Sequence, residues 1–130
     1  MLVAGLIAAG LAAVVHGYIF YLEAIAWTRP STRSTFGTSE SEAFATRQLA
    51  FNQGFYNLFL AIGAAIGIVI IASRAAESVG LGLILFAVGS MLAAAVVLVG
   101  SDRTKARAGA VQGTFPLIAV VLLLIHLAVH

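Results

Sequence analysis

Seven polar side chains lie within or beside the long apolar segments of this sequence. A carboxylate inside a membrane helix costs about 2.5–3.5 kcal/mol, so Glu23 is expected to face a protein interior or a wet cavity. A carboxylate, an imidazole and several carboxamides in one place have the chemistry of a proton relay or a ligand site, because burial and neighbouring groups tune their ionisation. The seven are His16, Glu23, Asn52, Gln53, Tyr56, Asn57 and Gln112.

The composition indicates the class of protein that carries these side chains. Of 130 residues, 62% are hydrophobic and 9% are charged, against about 45–50% and about 25% in soluble domains. Four apolar stretches approach or exceed the roughly 20 residues that span a bilayer. They are Leu2–Trp27, Phe51–Ala72, Val79–Gly100 and Gly113–Val129. We therefore predict an all-α integral membrane protein in which residues 1–130 form a single membrane domain.

The charges of the connections predict an orientation. Six of the seven basic residues lie in two connections, and they are Arg29, Arg33, Arg47, Arg103, Lys105 and Arg107. Because short basic connections stay on the cytoplasmic side, both termini are predicted on the outer side of the cell inner (plasma) membrane. The expected fold is an antiparallel, up-and-down four-transmembrane-helix bundle. These membrane-surface anchors explain the basic balance, so no nucleic-acid partner is predicted.

Local signals predict the ends of the first two helices. Pro30 is expected to stop the first helix soon after Trp27, since proline cannot donate a helix hydrogen bond. Ser39 followed by Glu42 fits a capping box, in which each residue's side chain pairs with the other's backbone amide. The second helix is therefore predicted to begin near Glu40 and to run unbroken to the end of the second apolar stretch.

Small residues and helix breakers predict how the helices pack. Gly100, Ser101 and Asp102 are expected to separate the third and fourth helices, and Pro116 is placed to kink or widen the fourth. Small residues repeated four or seven positions apart predict close packing seams, within the bundle or between copies. These residues are Gly5, Ala9, Ala13, Gly17, Gly63, Gly67, Gly82 and Gly89.

Helical geometry predicts that the polar groups converge. His16, Phe20, Glu23 and Trp27 form a stripe within about 40° on the first helix. The carboxamides and Tyr56 of the second helix span about 140°, and the antiparallel arrangement brings both sets to similar depth. Their meeting point is predicted to be an inward-opening intramembrane polar pocket. Phe20 and Trp27 would form aromatic walls and His16 the floor, while Gln112 would stand at the mouth.

Three functions stay open at this stage. The favoured one is binding or transport of a small, partly hydrophobic or lipid-like solute, with Glu23 as the ionisable hub and a homodimer as one possible assembly. The first alternative is a membrane enzyme that performs acid–base chemistry on a lipid or isoprenoid. His16 and Glu23 would then act across about 10 Å of helix. The second alternative is an accessory subunit of a larger membrane complex, whose polar groups only fix the register of the helices.

The sequence predicts no cofactor and no metal site. His126 and His130 are four residues apart, as metal ligands on one helix face would be, but no third ligand accompanies them.

Three sequence elements resemble those of a known family. They are Ile19-Phe20-Tyr21-Leu22-Glu23 with Trp27, then Asn52-Gln53-Gly54-Phe55-Tyr56-Asn57, and finally Gln112-Gly113 before Pro116. Over essentially its whole length the chain resembles the small bacterial membrane proteins catalogued as domain of unknown function 1304. The resemblance implies a four-helix integral membrane protein and no established activity.

Overall fold

The computed structural model describes the chain from Met1 to His130, and it contains helices and no strands. The α-helices are α1 (Leu2–Phe20), α2 (Pro30–Phe36), α3 (Glu40–Ala72), α4 (Glu77–Ser101) and α5 (Ala106–Val129). A π-helical segment, Tyr21–Ile25, continues α1, and a 3₁₀ turn, Arg103–Lys105, precedes α5. Four helical stretches are long and apolar enough to cross a membrane, namely Leu2–Ile25, Glu40–Ala72, Glu77–Ser101 and Arg103–Val129. The predicted all-helical build with four apolar spans is confirmed.

The four long helices form a bundle in which each packs against two others, in the cyclic order α1, α3, α4, α5. Neighbours run in opposite directions. Gly5, early in α1, lies against Leu123, late in α5, and Gly54, early in α3, lies against Ala24, late in the first span. We call the end formed by residues 26–39 and 102–105 the loop end. The opposite end, with both termini and residues 73–76, is the terminal end.

The apolar core extends from the terminal end to the middle of the bundle. Helix α1 contributes only alanines to this core, and most of the larger side chains come from α4. Its buried members are Ala8, Ala9, Ala12, Ile71, Leu81, Ile84, Val88, Met91, Ala119 and Leu123. The core stops short of the loop end, where the polar side chains lie.

The predicted start of α3 is confirmed by its capping geometry. The Glu42 amide donates to the Ser39 hydroxyl at 3.2 Å, and the Ser39 amide donates to the Glu42 carboxylate at 2.9 Å. From Glu40 the helix runs unbroken to Ala72, as expected. This single helix carries all of the sequence's polar carboxamides except Gln112.

The predicted role of Pro30 is wrong. The first span leaves α-helical geometry after Phe20 and ends at Ile25, and Pro30 is instead the first residue of α2. Proline suits that position because its missing amide would have no helical partner there. Gly37 ends α2 at φ +65°, a conformation that favours glycine.

The last connection follows the prediction more closely. Helix α4 ends at Ser101, and the Asp102 carboxylate accepts hydrogen bonds from the Thr104 amide at 2.9 Å and the Thr104 hydroxyl at 2.6 Å. Helix α5 then starts at Ala106 and continues through the buried Pro116. The connection is also tied to α2, because the Lys105 ammonium donates to the Phe36 carbonyl.

The predicted glycine seams lie partly inside the bundle. Gly5 is buried in the α1–α5 contact, and Gly67 crosses α4 at Gly80 so closely that a Cβ on either would lie 2.8 Å from the other's carbonyl oxygen. Gly82 and Gly89 have nothing within 4 Å of where a Cβ would lie. The predicted seam on α4 is therefore no seam within this chain.

Candidate functional site

A change of helical geometry places Glu23 in the interior. The Ala26 amide donates to the Tyr21 carbonyl at 3.0 Å, five residues back instead of four. Such π-helical turns are rare and occur often at functional sites. Within this turn Leu22 and Glu23 are both buried, and Glu23 is only 5% exposed. A carboxylate this far from solvent needs a compensating partner.

Gly54 lets the neighbouring helix α3 pack closely against the segment that carries Glu23. A Cβ at Gly54 would lie 3.1 Å from both the Cβ and the amide nitrogen of Ala24, and 3.2 Å from the Cβ of Glu23. These distances are tighter than ordinary contacts, so the missing side chain lets α3 approach the π segment. The close approach brings the next turn of α3 within reach of the carboxylate.

Asn57 is the hydrogen-bond partner of Glu23. Its amide nitrogen donates to Glu23 Oε2 at 2.7 Å and also lies 3.3 Å from the Gln53 backbone carbonyl. Glu23 Oε1 accepts no hydrogen bond, yet it is not among the fully buried unpaired side-chain atoms, which are Thr32 Oγ1 and Arg33 Nε. One carboxylate oxygen is therefore satisfied by the protein, and the other retains access to the outside.

The packing face of α3 explains why Asn57 alone reaches Glu23. This face is a stripe of small buried residues spaced three, four or seven apart: Ala43, Ala50, Gly54, Ala61 and Ala64. Asn57 falls between Gly54 and Ala61 on the same stripe. Asn52, Gln53 and Tyr56 lie off it, are exposed, and form no side-chain hydrogen bond in the structure.

His16 is buried but occupies a separate environment. It is 2% exposed, and its Nδ1 lies 2.9 Å from the Ala12 carbonyl one turn earlier in α1. Since a carbonyl only accepts, Nδ1 carries the hydrogen in this contact. No hydrogen bond joins His16 to Glu23, so the two groups that a relay would use are not connected in this structure.

The remaining predicted site residues lie at different places. Phe20 is half-buried and packs edge-to-face on Phe55, with ring centroids 5.1 Å apart. Trp27 donates from Nε1 to the Thr46 hydroxyl at 3.2 Å. Gln112 is half-buried on α5 and makes no side-chain hydrogen bond. The structure thus brings Glu23 and Asn57 together, with Trp27 nearby, and leaves the other polar groups apart.

A cleft of about 460 Å³ opens beside Glu23 at the loop end. One wall is the end of the first span and the other is the start of α3. It is lined by Glu23, Ala24, Ile25, Trp27, Thr28, Phe44, Ala45, Arg47, Gln48 and Phe51. Such a volume is within the range of about 300–1,000 Å³ for small-molecule sites. Its walls combine aromatic rings with one acidic, one basic and one amide side chain.

Sequence reasoning missed the α3 wall of this cleft. Four residues follow the spacing of one helix face, namely Phe44, Arg47, Gln48 and Phe51. The charge pattern of the connections predicts only a membrane-surface role for Arg47. The extension of α3 back to Glu40 was predicted, and it would have placed these four residues on one face next to Trp27. The signal was therefore present in the sequence.

The acidic and basic side chains define what the site can do chemically. Glu23 can accept a hydrogen bond from a ligand hydroxyl or amine at Oε1, and Arg47 makes no hydrogen bond or ion pair with the protein. No group of three or more His, Cys, Asp or Glu lies close enough to hold a metal ion. His126 lies instead 3.6 Å from Glu77, at the terminal end.

The fold is a bundle of four helices that are long and apolar enough to cross a membrane, and an acidic residue is buried between two of them. The chain matches the family described as Protein of unknown function (DUF1304) over residues 10–124, and it belongs to that family. No curated protein and no solved structure matches it.

Proposed function

We propose that this protein binds or transports a small, partly hydrophobic solute in the cleft, with Glu23 as the ionisable hub. The observation that carries the proposal is the asymmetry of the Glu23 carboxylate. Asn57 holds Oε2 at 2.7 Å, while Oε1 has no partner on the wall of the cleft. A carboxylate that served only to fix helix register would be satisfied at both oxygens by the protein.

The walls of the cleft support a solute that is partly apolar. Trp27, Phe44 and Phe51 offer aromatic surface, while Gln48 and Arg47 add polar groups towards the loop end. Polar groups that converge beside aromatic rings suit a solute with one polar and one apolar part. The separation of His16 from Glu23 favours binding over acid–base catalysis by that pair.

The orientation proposed for the bundle follows from the connections. The basic residues cluster at the loop end, so we place this end at the cytoplasmic face of the plasma membrane and both termini outside. The cleft then opens inward, at the depth of the lipid headgroups, where Trp27 suits the interface. A solute would enter from the cytoplasm or from the inner leaflet.

The single tryptophan allows this proposal to be tested directly. Trp27 is the one tryptophan of the chain and lines the cleft, so its emission reports on occupancy. The protein would be placed in phosphatidylcholine nanodiscs and titrated with dodecanol, dodecylamine and dodecanoate. We expect saturable binding of at least one of these probes, weakened about tenfold or more in Glu23→Gln.

Glu23→Gln is informative because glutamine keeps the shape and an oxygen that can accept from Asn57. The matched control is Glu77→Gln, which removes an exposed carboxylate at the terminal end. If no probe saturates, or if Glu23→Gln binds as tightly as the wild type, Glu23 is not the hub of a binding site.

A further inference from the structure

The cleft continues at Phe51 into a row of phenylalanine rings, most of which lie outside the cleft. Phe51 lines the cleft and contacts Phe55, with ring centroids 5.0 Å apart, and Phe55 contacts Phe59 at 6.1 Å and Phe20 at 5.1 Å. We call Phe20, Phe51, Phe55 and Phe59 the phenylalanine row. It leads from the loop end towards the middle of the bundle, on the same side of α3 as the cleft.

A free basic group stands at the opposite end of the same surface. Arg47 lines the cleft one turn before Phe51, is exposed, and makes no ion pair or hydrogen bond within the protein. Its guanidinium can bind a phosphate through two parallel hydrogen bonds. From the loop end inward, this side of α3 therefore presents a cation and then a continuous aromatic strip, and the cleft with Glu23 lies beside them.

This order, with the charge near the membrane surface and the apolar groups deeper, matches that of a phospholipid in a bilayer. We propose, on the basis of the proposed function, that the solute is a lipid with a net anionic phosphate headgroup. Its phosphate would pair with Arg47 and its acyl chain would lie along the phenylalanine row. The glycerol ester region between them would lie beside the cleft, and the acyl chain would cover the opening next to Glu23.

The position of Glu23 is compatible with an anionic headgroup. The carboxylate contacts α3 at Gly54 and Asn57, which follow Arg47 by seven and ten residues. At 1.5 Å per residue this places it about 10–15 Å further from the loop end than Arg47. Repulsion between carboxylate and phosphate over that distance is weaker than the direct contact of the phosphate with the guanidinium.

Quenching of Trp27 by brominated lipids tests the proposal. Nanodiscs of phosphatidylcholine would contain a small, equal fraction of either brominated phosphatidylglycerol or brominated phosphatidylcholine. We expect the anionic lipid to be preferred about fivefold, the effect of about one interfacial charge. The preference should vanish in Arg47→Gln, remain in Arg107→Gln, and decrease at high salt. Arg107 is the matched control because it is also basic and exposed at the loop end but does not line the cleft.

Each other outcome counts against the proposal. Equal quenching by both lipids in the wild type, or a preference that survives in Arg47→Gln, would overturn it. Inorganic phosphate could also be added as a competitor. If it relieves the quenching as effectively as unbrominated phosphatidylglycerol does, the site binds a free anion and not a lipid. If the preference for the anionic lipid is absent but binding of the dodecyl probes still depends on Glu23, the lipid proposal fails and the proposed function stands. Probe binding that is unchanged in Glu23→Gln removes the proposed function itself.

Discussion

The two ends of the bundle are held together in different ways. At the terminal end, α3 and α4 cross where Gly67 meets Gly80, and a Cβ on either would lie 2.8 Å from the other's carbonyl oxygen. At the loop end, the first span adopts π-helical geometry, and the contact with α3 includes a carboxylate, an amide and an open cleft beside them. The glycine crossing is close-packed and apolar, whereas the contact between the first span and α3 is irregular and polar.

This difference shows how a short chain combines rigidity with a site. Close crossings through glycine supply the contacts that replace the hydrophobic effect between helices in lipid. Because that packing fixes the bundle at one end, the other end can hold a buried carboxylate and a cleft, which contribute little to packing. The following substitutions test whether stability is concentrated at the terminal end and binding at the loop end.

The largest loss of stability is expected at the glycine crossing. Gly67→Val adds atoms where a Cβ would already lie 2.6 Å from Ile84 and 2.8 Å from the Gly80 carbonyl oxygen. We expect the free energy of unfolding to fall by about 3 kcal/mol, the upper range for overpacking. Gly82→Val is the control because nothing lies within 4 Å of that position. Unfolding in mixed micelles of increasing dodecyl sulfate measures both, and equal stabilities would contradict the close crossing.

The second effect tests the polar pair at the loop end. Asn57→Ala leaves the buried Glu23 carboxylate without its donor, which should cost about 2 kcal/mol of unfolding free energy. Asn52→Ala removes an exposed amide with no hydrogen bond, so its cost should stay within about 0.5 kcal/mol. The same micelle titration compares them. If Asn52→Ala proves the more damaging change, the pairing of Glu23 with Asn57 is wrong.

A smaller loss of stability is expected at Gly54, where α3 packs against the segment that carries Glu23. Gly54→Ala places a methyl group 3.1 Å from Ala24 and 3.2 Å from Glu23, so the two helices must separate by a few tenths of an ångström. Relative to Gly17→Ala, where nothing lies within 4 Å, we expect a loss of about 1 kcal/mol. Trp27 emission should change in Gly54→Ala only. An unchanged spectrum with unchanged stability would mean that α3 does not need this close approach.

The smallest effect concerns the last connection at the loop end. Hydrogen bonds from the Thr104 hydroxyl and amide lower the pKa of Asp102 below its ordinary value. A lowered pKa stabilises the fold above the ordinary pKa, and this contribution is lost as pH falls through the lowered one. The Asp102→Asn variant should therefore lose less stability than the wild type between about pH 6 and about pH 3. Thermal unfolding of both proteins measures this, and parallel pH profiles would exclude the contribution.

Much of the fold could be predicted from the sequence because its signals are local. The four apolar stretches and the Ser39–Glu42 capping box each depend on a few neighbouring residues. The π-helical turn at Tyr21–Ile25 depends instead on tertiary packing, so the sequence predicts an end at Trp27, whereas the first span ends at Ile25. A proline alone does not distinguish the end of one helix from the start of the next, which is why Pro30 was misassigned.

The site was predictable only in part, for a similar reason. Polarity identified Glu23 and Asn57, but a set of polar residues does not show which helix face packs inward. On α3 that choice is made by the small residues around Gly54, and they carry Asn57 inward while Asn52 and Tyr56 stay exposed. The stripe of small residues marks the inward face of α3, and Asn57 is the carboxamide that lies on it.

Binding at this site requires that the Glu23 carboxylate can be reached from the cleft. Dicyclohexylcarbodiimide is an apolar reagent to which carboxyl groups in apolar surroundings add. It reports this access when the modified protein is digested and analysed by mass spectrometry. We predict modification of Glu23 in phosphatidylcholine nanodiscs and slower modification when phosphatidylglycerol occupies the cleft. A Glu23 that stays unmodified, or that reacts at the same rate with and without the anionic lipid, would contradict the account.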